Sequence, residues 1–310
     1  MDITLRQMRY FKALSETRHF GQAAEMCHVS QPALSTQIKE MEARLGAVLV
    51  DRRGREVALT PAGWEVLRTA RAIEGELARM QESLRWRGGL RGKLRLGVIP
   101  TVAPYLLPVA LPLLRGRDVR LDLRVREAQT DTLLNDLADG RLDAAVIALP
   151  SGATGLVEMP LFEDRFLLAG SAMQLAALKA RGLKVAPDSI DPERLLLLDE
   201  GHCLADQALA VCGLKREAAR VDLGASSLAT LCGLVGEGFG LTFLPELAIE
   251  SEAAGLSLMR FPAPEPFRTV GLVCRDLGAP AGWFEELSAM LSEAGEAVIA
   301  RAMVRWPRAG

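Results

Sequence analysis

The start of the chain carries the signals of three short helices separated by tight turns, and this pattern constrains the fold more than any other feature. Apolar residues recur at helical spacing after Thr4, which predicts a first helix from Leu5 to Leu14. A second helix is predicted from Phe20 to Met26. After a three-residue turn, Ser30 is a typical N-cap for a third helix that ends at Gly46. Two helices joined by so short a turn match the helix-turn-helix arrangement.

The predicted third helix has one apolar and one polar face. Its apolar face consists of Leu34, Ile38, Met41 and Leu45. The other residues near its N-terminal end are of types that reach base edges and phosphates in duplex DNA. The candidate DNA-contacting residues of this helix are Gln31, Pro32, Ala33, Ser35, Thr36 and Lys39.

Residues 48 to 59 are predicted to form a two-stranded hairpin. Its tip holds Arg52, Arg53 and Arg55 around a glycine, where they would contact the phosphate backbone. Residues 1 to 90 carry 14 Lys and Arg against 11 Asp and Glu, a net charge of +3, while the remainder carries −5. The first part is therefore the better candidate for binding a polyanion. We predict that residues 1–60 form a winged helix-turn-helix domain that binds double-stranded DNA.

A long helix is predicted to start at Thr60 and Pro61, the N-cap and first helical residue. Its apolar residues recur every three or four positions and are Leu67, Ala70, Ile73, Leu77, Met80 and Leu84. Such a stripe predicts a dimerisation helix over residues 61–89, and a dimer of this kind reads an imperfect inverted repeat. A linker helix packed on its own chain is the alternative.

Residues 90–310 follow a glycine-rich hinge and show another pattern, in which apolar runs alternate with helical segments. The runs are Leu94 to Ile99, Leu121 to Val125, Ala144 to Leu149, Phe166 to Ala169, Leu195 to Leu198 and Gly271 to Cys274. Alternation of this kind predicts an α/β domain with mainly parallel sheets. Because ligands bind at the carboxyl ends of such strands, we expect Thr101, Thr130 and Leu149 to lie near a common cleft between two lobes.

Cys203 and Cys212 lie nine residues apart in a stretch typical of a short helix. In a helix their Cα atoms would be roughly 13 Å apart, whereas a disulfide requires about 7 Å or less. A bond between them would have to unwind the segment, so this pair is a candidate redox switch. The start of the chain lacks the basic residues and apolar run of a secretory signal, so we expect a cytoplasmic protein. An odd number of cysteines in such a protein favours a regulatory disulfide over a structural one. Cys27, Cys232 and Cys274 are expected to be buried as small apolar residues.

Several other sites are not expected. The glycine-rich run Gly236 to Gly240 precedes a strand instead of following one, which indicates a turn and not a nucleotide loop. The three histidines show no metal-ligand spacing with the cysteines, so we predict neither a metal nor a cofactor. The uncharged run Leu96 to Leu114 is interrupted by four prolines, which favours a buried strand and helix over a membrane span.

The order of these parts resembles the LysR-type transcriptional regulators over essentially the whole chain. The motifs that carry the resemblance are Ala23-Ala24, the run Ser30 to Ser35, and Leu59 to Gly63. Within that family, Ile99 to Thr101, Glu127 to Thr130, and Gly201 to Leu204 with Asp206 and Cys212 look like the OxyR branch of hydrogen-peroxide sensors. The resemblance implies a two-lobed regulatory domain similar to periplasmic binding proteins, a homodimer or homotetramer, transcription activation with RNA polymerase as a candidate partner, and no enzymatic role.

The resemblance also implies roles for individual residues. Hydrogen peroxide would oxidise Cys203 to a sulfenic acid, which Cys212 would resolve to a disulfide. The implied peroxide-binding set is Thr101, Thr130, His202, Asp206 and Arg268. Ala205 and Val211 stand where the family commonly has arginine and an aromatic residue, so we expect a slower or differently tuned sensor.

Two other functions remain open from the sequence. One is a regulator that senses a small organic anion in the same cleft and keeps both cysteines in its core. The other is a thiol peroxidase, which would sustain turnover with a reductant and would not need residues 1 to 90.

Overall fold

A computed structural model describes residues 3–51, 57–85, 90, 92–117, 121–180, 186–199, 203–211, 213, 225–276 and 282–307 of the 310-residue chain. The chain divides into two compact units, Met1–Glu82 and Ser83–Gly310, each with its own hydrophobic core. Within the described ranges, no helix is both long enough and apolar enough to cross a membrane.

The N-terminal unit is built from helices whose ends follow local signals in the sequence. Its elements are α1 (Leu5–Thr17), α2 (Phe20–Met26), α3 (Gln31–Leu45), β1 (Val50–Asp51), β2 (Ala58–Leu59) and α4 (Pro61–Arg85). Thr4 and Gln7 cap α1 reciprocally, and the Ser30 hydroxyl accepts the N–H of Ala33 at the start of α3. Gly46 ends α3 at φ +67°, where glycine carries no steric penalty. The predicted helix-turn-helix and its caps are confirmed.

The three short helices pack around a common core, to which the hairpin is fastened by side chains. Phe11, Leu14 and Ile38 are fully buried in this core. The carboxylate of Glu42 accepts the N–H groups of Leu49 and Val50 at 2.8 and 3.3 Å, which ties α3 to β1. β1 and β2 pair in antiparallel fashion, as predicted for the hairpin. Its tip, with Arg52, Arg53 and Arg55, lies outside the described residues.

Gly63 in α4 provides a stability test with a control on the same helix. A Cβ atom at Gly63 would overlap the carbonyl oxygen of Leu49, whereas a Cβ atom at Gly75 would meet nothing within 4 Å. We expect Gly63→Ala to lower the free energy of unfolding by about 1–3 kcal/mol through this clash. Gly75→Ala should raise it by about 0.5–1 kcal/mol through better helix propensity. Chemical denaturation of both variants measures this contrast, and equal effects would contradict the packing described.

The C-terminal unit contains alternating strands and helices. Its elements are β3 (Lys93–Val98), α5 (Ala103–Arg117), β4 (Asp122–Glu127), α6 (Thr130–Ala138), β5 (Ala144–Leu149), β6 (Leu156–Gly170), α7 (Ala172–Ala180), α8 (Cys203–Val211), α9 (Leu228–Gly236), β7 (Thr242–Pro245), α10 (Ile249–Glu252), β8 (Ser257–Arg260), β9 (Phe267–Arg275) and α11 (Gly282–Arg305). Among the described residues, the strands pair in the order β4-β3-β5-β9-β6-β7, and β8 pairs with β6.

The long strand β6 runs through two lobes. Its residues 156–165 pair with β9 in the first lobe, which also contains β3, β4 and β5. Its residues 166–170 pair with β7 and β8 in the second lobe. One hydrophobic core extends through both lobes. The predicted two-lobed α/β architecture is therefore confirmed.

The prediction of mainly parallel sheets is wrong. β3 runs parallel to β4 and β5, but β9 is antiparallel to β5 and β6, and β6 is antiparallel to β7 and β8. The predicted strand Leu195 to Leu198 is also reduced to isolated bridges at Leu195 and Leu198 in the described part of the chain. An apolar run indicates that a segment is buried, but it does not encode the direction of its partner strand.

Candidate functional site

Three of the predicted peroxide-binding residues lie at one edge of the first-lobe sheet. Val98 and Glu127 pair at the carboxyl ends of the parallel strands β3 and β4. Thr101 and Thr130 follow these paired residues by the same three positions, so they occupy equivalent places beyond the two strands. Arg268 precedes Thr269, which pairs with Leu149 at the carboxyl end of β5. The strand register thus brings Thr101, Thr130 and Arg268 to the sheet edge where α/β domains bind ligands.

The structure joins two of these residues directly. Arg268 donates from Nη1 to the Thr101 hydroxyl at 2.8 Å and from Nη2 to the Thr101 carbonyl oxygen at 3.1 Å. Both residues are almost completely buried, with 2% of Thr101 and 3% of Arg268 exposed. A buried guanidinium requires a compensating charge, because desolvation penalises an isolated ion.

Asp164 supplies that compensating charge. It is 0% exposed, and its Oδ2 atom accepts from Arg268 Nε at 2.9 Å and lies 2.8 Å from Nη2. Its other oxygen accepts the N–H of Leu247 at 3.0 Å, next to the start of a short 3-10 helix at Glu246–Ala248. Burial raises the pKa of Asp164, while Arg268 and the Leu247 N–H oppose this rise by favouring the carboxylate. The Arg268 guanidinium is therefore fixed from two sides before any ligand enters.

Asp164 was not among the sequence-predicted site residues. It lies opposite Arg268 across the antiparallel strands β6 and β9. The available signal was an acidic residue between two apolar runs, in a stretch that the structure shows to be strand. That signal alone does not identify its partner, which is 104 positions away in the sequence.

Thr130 differs from Thr101 in its hydrogen bonding. It is the first residue of α6 and is half-buried. Its Oγ1 atom is buried and has no hydrogen-bond partner in the part of the chain that the structure describes. Buried hydroxyl groups normally have a partner, so this atom is available to a small polar ligand.

Cys203, the first of the two cysteines predicted to react, is the first residue of α8. The Cys203 side chain is half-buried against the core of the C-terminal unit, and Leu204, Ala205 and Leu209 of the same helix are buried. Asp206 lies in the first turn and is exposed. His202 and Cys212 lie outside the described residues.

The length of α8 excludes a disulfide between Cys203 and Cys212 while the helix is intact. The Cα atoms of Cys203 and Val211, the two ends of α8, are about 12 Å apart at about 1.5 Å per residue. Consecutive Cα atoms are about 3.8 Å apart, so wherever Cys212 lies, its Cα atom is at least about 8 Å from that of Cys203. This separation exceeds the limit of about 7 Å for a disulfide.

The residues that are predicted to contact DNA lie on the exposed side of α3, and their role stays a prediction. Leu34, Ile38 and Met41 are buried in the core of the N-terminal unit. The predicted DNA-contacting residues are exposed except for half-buried Ser35, and they are Gln31, Pro32, Ala33, Ser35, Thr36 and Lys39.

The N-terminal and C-terminal units both match models of one protein family. A family model described as "Bacterial regulatory helix-turn-helix protein, lysR family" matches residues 5–64, and another described as "LysR substrate binding domain" matches residues 87–295. The chain belongs to the LysR family of transcriptional regulators. Within this family it is of the OxyR type, as its individual relatives indicate.

The sequence relatives cover almost the whole chain. A "Probable hydrogen peroxide-inducible genes activator" of Streptomyces viridosporus is 42% identical over 299 residues and covers 94% of each chain. The "DNA-binding transcriptional dual regulator OxyR" of Escherichia coli K12 is 38% identical over 289 residues, covering 92% of this chain and 94% of its own.

Two solved structures of similar proteins align with nearly the whole chain. A full-length cysteine-to-aspartate variant of OxyR from Pseudomonas aeruginosa has a TM-score of 0.68 at 32% identity, with 96% and 95% of the two chains covered. A cysteine-to-serine variant of Corynebacterium glutamicum OxyR with bound H2O2 has a TM-score of 0.65 at 33% identity, with 100% and 98% covered.

The apolar stripe of the long helix α4 is buried at its start and exposed further along. Leu67 and Ala70 are buried within the N-terminal unit, and Ile73 and Leu77 are half-buried. Met80, further along the stripe, is 56% exposed. The first part of α4 is thus held by its own chain, as in the alternative of a linker helix packed on its own chain, and its role in dimerisation stays a prediction.

The remaining thiols are poor candidates for peroxide chemistry. Cys232 and Cys274 are buried, as expected for small apolar residues. Burial and the nearby Glu252 raise the pKa of Cys232 to about 12, which keeps its thiol protonated near neutral pH. Cys27 is only half-buried, and burial and Glu16 raise its pKa. Within the described ranges, no cluster of three or more acidic, histidine or cysteine side chains could hold a metal ion.

Proposed function

We propose that this protein is a cytoplasmic DNA-binding regulator whose Cys203 is oxidised by hydrogen peroxide and then bonded to Cys212. The observation that carries the proposal is the buried Arg268 guanidinium, which Asp164 holds against Thr101 at the edge of the sheet. The hydroxyl of Thr130, which has no hydrogen-bond partner among the described residues, follows the neighbouring strand. A cation and two hydroxyl groups suit a small ligand with two oxygen atoms. The names of the OxyR-type relatives support peroxide as that ligand.

The chemistry oxidises two thiols and reduces one peroxide molecule. The Cys203 thiolate attacks one peroxide oxygen, the O–O bond breaks, and the departing hydroxide takes a proton to leave as water. The thiolate of Cys212 then attacks the sulfur of the resulting sulfenic acid. An S–S bond forms, and a second hydroxide leaves as water once it is protonated. Two electrons and two protons from the thiols thus convert hydrogen peroxide to two water molecules.

The proposed binding residues act on the oxygen atoms. Arg268 stabilises the negative charge that develops on the departing oxygen, and Thr101 and Thr130 orient the peroxide by hydrogen bonds. His202 and Asp206 flank Cys203 in the sequence, where they could donate or relay the proton. Because Asp164 already orients Arg268, no reorganisation is needed when charge develops.

Disulfide formation would change the regulator through α8. Since α8 and the disulfide are mutually exclusive, oxidation must rebuild the segment around Cys203 and thereby favour another arrangement of subunits. We propose that homodimers or homotetramers place α3 and the hairpin residues Arg52, Arg53 and Arg55 on two half-sites of an imperfect inverted repeat. The oxidised arrangement would then activate transcription, with RNA polymerase as partner.

Non-reducing peptide mapping after one equivalent of hydrogen peroxide tests the proposal. We expect a crosslinked peptide pair containing Cys203 and Cys212 in the wild type, and none in Cys203→Ser. The matched control is Cys232→Ser, which should still give the crosslink because Cys232 is buried. An unmodified Cys203 after peroxide treatment would contradict the proposal. A regulator of organic anions would keep its response in Cys203→Ser, and a peroxidase would sustain turnover without residues 1 to 90.

Thr130→Val separates ligand binding from stability. The Thr130 hydroxyl has no partner among the described residues, so its removal should leave the free energy of unfolding unchanged or raise it by up to about 1 kcal/mol. The rate of Cys203 oxidation should nevertheless fall by about tenfold or more through the loss of a peroxide contact. Stopped-flow oxidation and chemical denaturation measure the two effects. Thr101→Val is the comparison, since it deprives Arg268 of an acceptor and should cost about 1–3 kcal/mol.

A further inference from the structure

A second ion pair, between buried Glu246 and half-buried Arg260, adjoins the Asp164–Arg268 pair through Leu247. Glu246 is completely buried at the start of the 3-10 helix, and its Oε1 atom lies 2.7 Å from Arg260 Nη2. The next residue, Leu247, donates the N–H that Asp164 accepts. The two buried carboxylates are therefore neighbours, and the charge of Glu246 contributes to the raised pKa of Asp164.

Arg260 is held in place by every nitrogen of its guanidinium. Besides Glu246, it donates from Nε to the carbonyl oxygen of Pro307 at 3.0 Å and from Nη2 to that of Trp306 at 2.7 Å. Its Nη1 atom contacts both carboxylate oxygens of Glu265 at 3.3 and 3.4 Å. The residues that follow α11 thus fix a cation beside Glu246, which lies far from them in the sequence. Because its donors are already held in one orientation, the Arg260 guanidinium loses little side-chain entropy when it binds the Glu246 carboxylate.

We propose that Arg260 is a positioning residue for the peroxide site, acting through Glu246 and Asp164 on Arg268; this inference rests on the proposed function. The positive charge of Arg260 compensates the negative charge of Glu246. Asp164 can then stay ionised and accept from Arg268 with one oxygen and from the Leu247 N–H with the other. Without this cation, the buried negative charges repel more strongly. This repulsion would be relieved by protonation of Asp164 or by rotation of Arg268 towards Glu246. Either change would loosen the contact between Arg268 and Thr101.

The test compares four proteins: wild type, Arg260→Gln, Glu246→Gln, and the variant carrying both substitutions. For each, the second-order rate of Cys203 oxidation by hydrogen peroxide is divided by the rate of Cys203 alkylation by iodoacetamide, which does not use the Arg268 site. We expect Arg260→Gln to lower this ratio by about tenfold. This is the low end of the loss of activity that follows when a residue that orients the direct ligands of a site is removed. Glu246→Gln and the double variant should stay within about twofold of wild type.

If Arg260 served only to anchor Trp306 and Pro307 after α11, the four proteins would give a different set of rates. The double variant would then be oxidised as slowly as Arg260→Gln, or the oxidation and alkylation rates of Arg260→Gln would fall together. Either outcome overturns the inference. Arg301→Gln on α11 is the matched control, since it removes an arginine that is 4.0 Å from exposed Glu250 and should leave the ratio unchanged. If Arg260→Gln does not fold, the double variant and Arg260→Lys, which keeps the charge, decide by the same ratio. A wild type that does not react with peroxide contradicts the proposed function instead.

Discussion

Asp164→Ala should lower the free energy of unfolding of the C-terminal unit by about 3–5 kcal/mol, the cost of leaving one member of a buried ion pair unpaired. The substitution would leave the Arg268 guanidinium, only 3% exposed, without the carboxylate that contacts both its Nε and Nη2 atoms. The Leu247 N–H would also lose its acceptor. We expect peroxide oxidation of Cys203 to slow at the same time, because Arg268 would no longer be held against Thr101. Urea denaturation and stopped-flow oxidation of the full chain measure both effects.

The neighbouring residue Glu163 provides the control for this prediction. Its carboxylate lies 3.0 Å from Arg165 but is 49% exposed, so Glu163→Ala should cost less than about 1 kcal/mol. A double variant, Asp164→Leu with Arg268→Met, separates stability from function. Replacing a buried ion pair by apolar residues of similar volume is often neutral or stabilising, so this variant should regain stability without regaining peroxide reactivity. Equal losses for Asp164→Ala and Glu163→Ala would show that the buried pair is not the element that holds Arg268.

The parts of the fold that the sequence predicted well are those set by local chemistry. The helix α2, Phe20–Met26, and the strand β5, Ala144–Leu149, have the predicted bounds. Ser30 and Gly46 cap α3 because hydroxyl groups satisfy free N–H groups and glycine tolerates positive φ. Signals of this kind act over a few residues and need no knowledge of the tertiary structure.

Long-range pairing could not be obtained in the same way. The resemblance to the family indicated Arg268, but its carboxylate partner Asp164 depends on the antiparallel register of β6 and β9. That register is set by packing across two lobes and is not written in the alternation of apolar residues. The same reason explains why the sheets were expected to be mainly parallel. The site could therefore be predicted as a set of residue types, whereas the charge balance that holds it in place required the structure.

Oxidation should raise the hydrogen-exchange rates of the backbone amides of residues 207–211 by at least about a hundredfold, equivalent to a loss of local stability of about 2.7 kcal/mol. In the reduced protein these amides donate within α8, which buries Leu204, Ala205 and Leu209. The intact helix keeps the Cα atoms of Cys203 and Cys212 too far apart for a disulfide, so the bond can form only after some of these hydrogen bonds break. Exchange measured by mass spectrometry on reduced and oxidised protein tests this expectation.

Leu209→Ala tests the same coupling through the redox potential. Leu209 is buried on α8, so its truncation should destabilise the reduced fold by about 2–5 kcal/mol. If the helix is lost on oxidation, the oxidised form does not bear this cost, and the midpoint potential should become more negative by roughly 40–110 mV. Amides of α11 serve as the internal control for exchange, and peroxide-treated Cys203→Ser should exchange like the reduced wild type. An unchanged potential, or protection of α8 that survives oxidation, would mean that the two cysteines are joined without unwinding the helix and that the switch proposed for this segment does not operate.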